Sequence, residues 1–108
     1  MKIQVLIAAL CKEPIELLNE MGIKSDAIIG NQCFEDNVES FDYNGNKIVV
    51  YSFNERGVGL NRNNTLLRAR GDVAVLADDD MYFYENYEET LNKAYEKYPE
   101  ADVIIFNI

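Results

Sequence analysis

The chain is predicted to fold as an α/β domain, with a mostly parallel sheet covered by helices on both faces. Three observations predict this. Short apolar runs recur along the 108 residues, and helical patterns separate them. The first run, Ile3 to Ala9, is continuous rather than alternating, as in a strand buried on both faces. Helix punctuation stands where a βαβ order requires it. A single domain over residues 1–108 is expected, with hydrophobic residues at 48%.

Each element has its own signal. Pro14 suits a first helical turn and Gly22 a helix end, with Ile15, Leu18 and Met21 as the inward stripe. Ala27 to Gly30 reads as a second strand, followed by a polar stretch from Asn31 to Asn37. Tyr43-Asn44-Gly45-Asn46 is a hairpin signal, because Asn-Gly tolerates the positive φ of a type I′ turn. Ile48 to Phe53 is then a strand. Gly57 and Gly59 precede a helix expected from about Leu60 to Arg70, which Gly71 would close. Val73 to Ala77 reads as a buried strand. Tyr84, Tyr87, Leu91, Ala94 or Tyr95, and Tyr98 form a helical stripe that ends at Pro99, with Glu89 and Lys93 as an i,i+4 pair. Asp102 to Ile108 is a further apolar strand. Because the sequence ends inside that strand pattern, a truncated piece of a longer enzyme is expected.

Composition narrows the function. A net charge of −9 argues against nucleic acid and against a basic membrane-binding patch. There is no signal-peptide layout and no apolar stretch long enough to span a bilayer, so a cytoplasmic protein is expected. Cys11 and Cys33 lack metal or redox spacing and read as reduced structural thiols. The chain has no His, which removes Ser-His and Cys-His chemistry and His-based zinc sites.

Asp78-Asp79-Asp80 follows the Val73–Ala77 run directly. Three adjacent carboxylates at a strand end repel one another and favour a hard cation, Mg2+ or Mn2+. On a straight strand Asp78 and Asp80 share a face but lie roughly 6.6 Å apart. Mg–oxygen bonds are only about 2.0–2.1 Å. Either the chain turns here, or one carboxylate holds the metal while the other accepts hydrogen bonds from a ribose or a metal-bound water. A solvated acidic turn capping the next helix is the plainer alternative. Upstream, Asn61, Asn63 and Asn64 are poor helix formers, and Arg62 stands near a helix start where it could meet a phosphate.

Gly57-Val58-Gly59-Leu60-Asn61-Arg62-Asn63-Asn64, then Ala69-Arg70-Gly71-Asp72, then Leu76-Ala77-Asp78-Asp79-Asp80, together resemble the central signature of glycosyltransferase family 2. The likeness covers the N-terminal, nucleotide-binding half of a GT-A domain, a three-layer α/β/α sandwich. The stretch Ser25 to Cys33 is similar to the branch that makes bacterial capsular polysaccharide or exopolysaccharide. The resemblance implies Asp80 as ligand of a Mn2+ or Mg2+ that bridges the donor diphosphate. It implies Asp78 near the ribose or a metal-bound water, Arg62 lining the nucleotide pocket, and Ala8 and Ala9 beside the base. The implied partners are a nucleotide-sugar donor, with a UDP-sugar favoured, and a glycan or lipid-linked acceptor. The parent enzyme would be cytoplasmic or peripheral at the inner face of a membrane. A homodimer through surface bared by truncation is also expected.

The chain departs from the family pattern in places. Asn31 and Gln32 stand where an acidic strand-two end is usual, and they would hydrogen-bond a base edge. Ala8-Ala9-Leu10-Cys11 replaces the usual Pro-x-x-Asn. The family's carboxylate base is expected beyond Ile108. Two other classes stay open. One is a non-catalytic nucleotide- or metal-binding module that self-associates. The other is a different metal-dependent phosphoryl-transfer enzyme, which would need further acidic residues at a neighbouring strand end.

Overall fold

The structure is a computed structural model and describes residues 2–54 and 65–103. It is α/β, with a mixed five-stranded sheet among the described residues. The strands are β1 (Ile3–Leu10), β2 (Asp26–Gln32), β3 (Asn37–Tyr43), β4 (Asn46–Phe53) and β5 (Val73–Asp78). The helices are α1 (Pro14–Met21) and α2 (Tyr87–Lys97). The sheet order is β3-β4-β2-β1-β5. β1 pairs in parallel with both β2 and β5, and β2 pairs in parallel with β4. Among the described residues only β3 and β4 pair antiparallel.

β1 lies inside the sheet, which is why its sequence is apolar without alternation. Ile3, Val5, Ile7 and Ala9 face the core shared with Leu17, Leu18 and Met21 of α1 and with Tyr87 and Leu91 of α2. Leu6 and Ile28, on the opposite face, are also buried.

α1 begins at Pro14 and is capped by Glu13, whose Oε2 accepts from Glu16 N–H at 2.7 Å. It ends at Gly22, which has φ of 72°. Gly22 N–H donates to Asn19 O and Ile23 N–H to Leu18 O, the Schellman pattern. The inward stripe differs from the expected one. Ile15 is 49% exposed and Leu17 takes its place in the core. Asn44 and Gly45 have φ of 51° and 84°, as a type I′ turn requires. The predicted Glu89–Lys93 pair is present at 3.0 Å.

Three expectations are corrected. β5 is not buried on both faces. It stands at the end of the sheet among the described residues, so Leu76 is 54% exposed while Val73 and Ala77 are buried. The helix expected to run to Arg70 has helical residues only through Leu67 in its described part. Asp102 and Val103 lie outside any strand, and residues 104–108 of that expected strand are outside the described residues. Within the tyrosine stripe, Tyr87 and Leu91 are buried but Tyr84 and Tyr98 are exposed. No helix among the described residues is long and apolar enough to cross a membrane.

Near the core, Tyr87 and Ser25 are hydrogen-bonded, whereas Asn92 Oδ1 is buried with no partner among the described residues. Tyr87 Oη accepts from Lys24 N–H at 2.7 Å and meets Ser25 Oγ at 2.7 Å. Burial raises the Tyr87 pKa above its usual value near 10, and the bonds to Ser25 and Lys24 oppose this.

Two predictions follow from this packing. Gly45 has open space around it, so Gly45→Ala meets only the left-handed strain of about 1–2 kcal/mol. At Gly22 a Cβ would also lie 2.8 Å from Phe83 O, so Gly22→Ala destabilises more. Urea denaturation of the two variants should give that order. A raised Tyr87 pKa means the unfolded state loses its proton first. Its contribution is therefore intact below about pH 10 and falls as pH rises toward the folded value. Tyr87→Phe should remove that alkaline loss and cost about 1–3 kcal/mol at neutral pH, by orphaning Lys24 N–H. Denaturation across pH measures both effects.

Candidate functional site

β1, β2, β4 and β5 run in the same direction, so their C-terminal ends share one edge of the sheet. Ligands in open α/β sheets usually sit at this edge. Ala8 is the register partner of both Gly30 and Asp78, and Ala9 is the partner of Asn31. Four of the residues singled out from the sequence, Ala8, Ala9, Asn31 and Asp78, therefore stand on three neighbouring strand ends. Asp80 follows two residues beyond Asp78.

The chain turns at the acidic triplet. Met81 N–H donates to Asp78 O at 3.2 Å, which closes a four-residue turn with Asp79 and Asp80 at its centre. Asp78 N–H also lies 3.4 Å from Met81 Sδ. Asp78 and Asp79 are half-buried and Asp80 is exposed. The bend removes the straight-strand limit on how closely Asp78 and Asp80 can approach one ion.

Asp79 has a separate role. Its Oδ2 accepts from Leu10 N–H at 3.2 Å and so ties the turn to the end of β1. Carboxylate acceptors of backbone N–H groups make the stronger class of hydrogen bond. The segment after the turn is tied as well, because Phe83 N–H donates to Met21 O at 2.7 Å.

Asn31 is buried and its amide is engaged on both sides. Oδ1 accepts from Lys12 N–H at 2.9 Å, and Nδ2 donates to Lys12 O at 2.9 Å. The residue clamps the loop between β1 and α1, where Cys11 has φ of 46°. One Nδ2 hydrogen and one Oδ1 lone pair are engaged in this clamp. Arg62 and the rest of Gly57–Asn64 lie outside the described residues. Cys11 is exposed and Cys33 is half-buried, so neither is a core thiol.

The Gly71-Asp72 part of the signature lies at the other end of the strands. Asp72 Oδ2 accepts from Lys2 N–H at 2.7 Å. Gln4 Oε1 accepts from Arg70 N–H at 2.7 Å and Gly71 N–H at 3.2 Å. A Cβ on Gly71 would lie 2.9 Å from Gln4 Cβ, which accounts for glycine there. These residues hold β5 against β1, and the sequence signal for this was a lone polar Gln4 inside an apolar run.

Among the described residues, no group of three or more His, Cys, Asp or Glu is arranged to hold a metal. Protein-family models, curated proteins and solved structures were compared with the chain, and none matches.

Asn31→Ala should free the loop it clamps. The expected cost is about 1–3 kcal/mol, because Lys12 N–H and C=O lose their partner. Hydrogen exchange should show faster exchange at Lys12 N–H, with the amides of β2 itself still protected.

Proposed function

We propose that this chain is the donor-binding portion of a GT-A glycosyltransferase resembling family 2, and that it holds a nucleotide-sugar at the Asp78–Met81 turn. The observation that carries the reading is the turn itself. It sits at the C-terminal edge of parallel strands, with the small residue Ala8 beside Asp78 in register. The three-layer GT-A arrangement belongs to the same proposal. Burial of Leu6 and Ile28 on the face away from α1 and α2 supports it. So does Arg68, which follows helical residues 65–67 and stacks on Tyr51.

The roles follow the exposure of each carboxylate. Exposed Asp80 is the ligand for Mn2+ or Mg2+. Half-buried Asp78 accepts hydrogen bonds from the donor ribose or a metal-bound water. Asp79 holds the turn on β1 through Leu10 N–H. Ala8 adds little bulk beside Asp78, which leaves room for the nucleotide. Asn31 fixes the neighbouring loop through Lys12. Arg62 is assigned to the nucleotide from the sequence resemblance alone. When bound, the metal would act as a Lewis acid on the leaving diphosphate. No residue of this chain is assigned as the base that activates the acceptor.

Calorimetric titration of UDP and UDP-sugars, with and without Mn2+, tests this function. Binding should require the metal, and Asp80→Ala should abolish it while leaving the unfolding free energy within about 0.5 kcal/mol of the parent, since the position is exposed. Nucleotide binding that ignores both the metal and Asp80 would reject the reading.

A further inference from the structure

Both backbone groups of Asp78 meet the same residue, Met81. Met81 N–H donates to Asp78 O at 3.2 Å, and Asp78 N–H donates to Met81 Sδ at 3.4 Å. The first bond needs only backbone. The second needs the lone pairs of a thioether, which is a weak acceptor. Met81 is 37% exposed, whereas Met21 lies in the core at 1%. A small oxidant therefore reaches the sulfur of the turn and not the sulfur of α1. Hydrogen peroxide is neutral, so the net charge of −9 does not repel it.

Oxidation removes what the second bond depends on. The sulfur gives a lone pair to one peroxide oxygen, the O–O bond breaks, and the other oxygen leaves as water. Sulfur is oxidised by two electrons to a sulfoxide, and the peroxide is reduced by two. If the new oxygen takes the lone pair facing Asp78 N–H, a 3.4 Å gap has no room for it. If it takes the other lone pair, the sulfur becomes positively polarised and repels the N–H. In both cases the contact is lost. The polar sulfoxide oxygen also adds negative charge density beside Asp78, Asp79 and Asp80.

We infer that Met81 is an oxidation site that loosens the acidic turn, so that peroxide lowers metal-dependent binding there. The effect on binding rests on the donor reading above, whereas the effect on the turn does not. Peroxide treatment of the whole 15N-labelled chain tests this, followed by dithiothreitol to restore reversibly oxidised thiols of Cys11 and Cys33. Peptide mass spectrometry should find oxygen added to Met81 about tenfold faster than to Met21. The Asp78 amide should shift, and its hydrogen exchange should quicken by about threefold or more. Met81→Leu keeps apolar bulk without the sulfur. Its Asp78 amide should exchange as in the oxidised parent and should not respond to peroxide. Equal oxidation of the two methionines, an Asp78 amide unchanged by the sulfoxide, or a peroxide response that persists in Met81→Leu would overturn the inference. Mn2+-dependent UDP binding should weaken about tenfold on oxidation. Equal UDP binding by both forms removes the regulatory role. Failure of the unoxidised chain to bind UDP removes the donor reading and that role together, and the Asp78 amide then decides the switch in the turn alone.

Discussion

The placement of β1 between β2 and β5 is the constraint on which the rest depends. Backbone pairing alone would allow a strand to slip. Here side chains fix the register toward β5 at both ends. Gln4 receives Arg70 N–H and Gly71 N–H, and Asp72 receives Lys2 N–H, at the start. Asp79 receives Leu10 N–H at the finish. A slip of one residue would break all of these bonds and turn Val5 and Ile7 out of the core. The position of Asp78 beside Ala8 is a direct result.

The three carboxylates of the acidic triplet stand in different environments. Three like charges gain nothing from crowding unless each has a separate partner. Asp79 has a backbone N–H of β1, and this bond helps the turn persist without any ligand. Asp80 is turned to solvent, where a cation can reach it without a buried charge being left behind. Asp78 stands between these environments, half-buried at the strand end.

Local signals were legible where local chemistry decides the outcome. Asn44-Gly45 needs positive φ, and Pro14 and Gly22 mark the ends of α1, so hairpin and helix could be read from the sequence. Apolar runs located β1, β2, β4 and β5, whereas β3 is mostly exposed and carries no such run. What could not be read depends on neighbours far along the chain. β5 has the composition of an interior strand but has only β1 beside it among the described residues, so Leu76 is exposed. Ile15 and Leu17 are both apolar, and which of them is buried depends on how α1 is rotated about its axis against the sheet. The clamp of Asn31 on Lys12 was not legible, because nothing in the sequence shows that Lys12 returns to it. The acidic triplet was visible as charge, but the bond from Leu10 N–H to Asp79 was not.

The parallel pairing of β1 with β5 also bears on how the chain can be made. Lys2 and Asp72, and Leu10 and Asp79, are joined although 70 and 69 residues separate them. During synthesis β1 can pair with β2 early, but its other edge must wait for β5 to emerge. An apolar strand with one open edge is prone to pairing with other chains. The acidic turn therefore forms late, and the N-terminal strand that supports it is the segment most in need of protection until then.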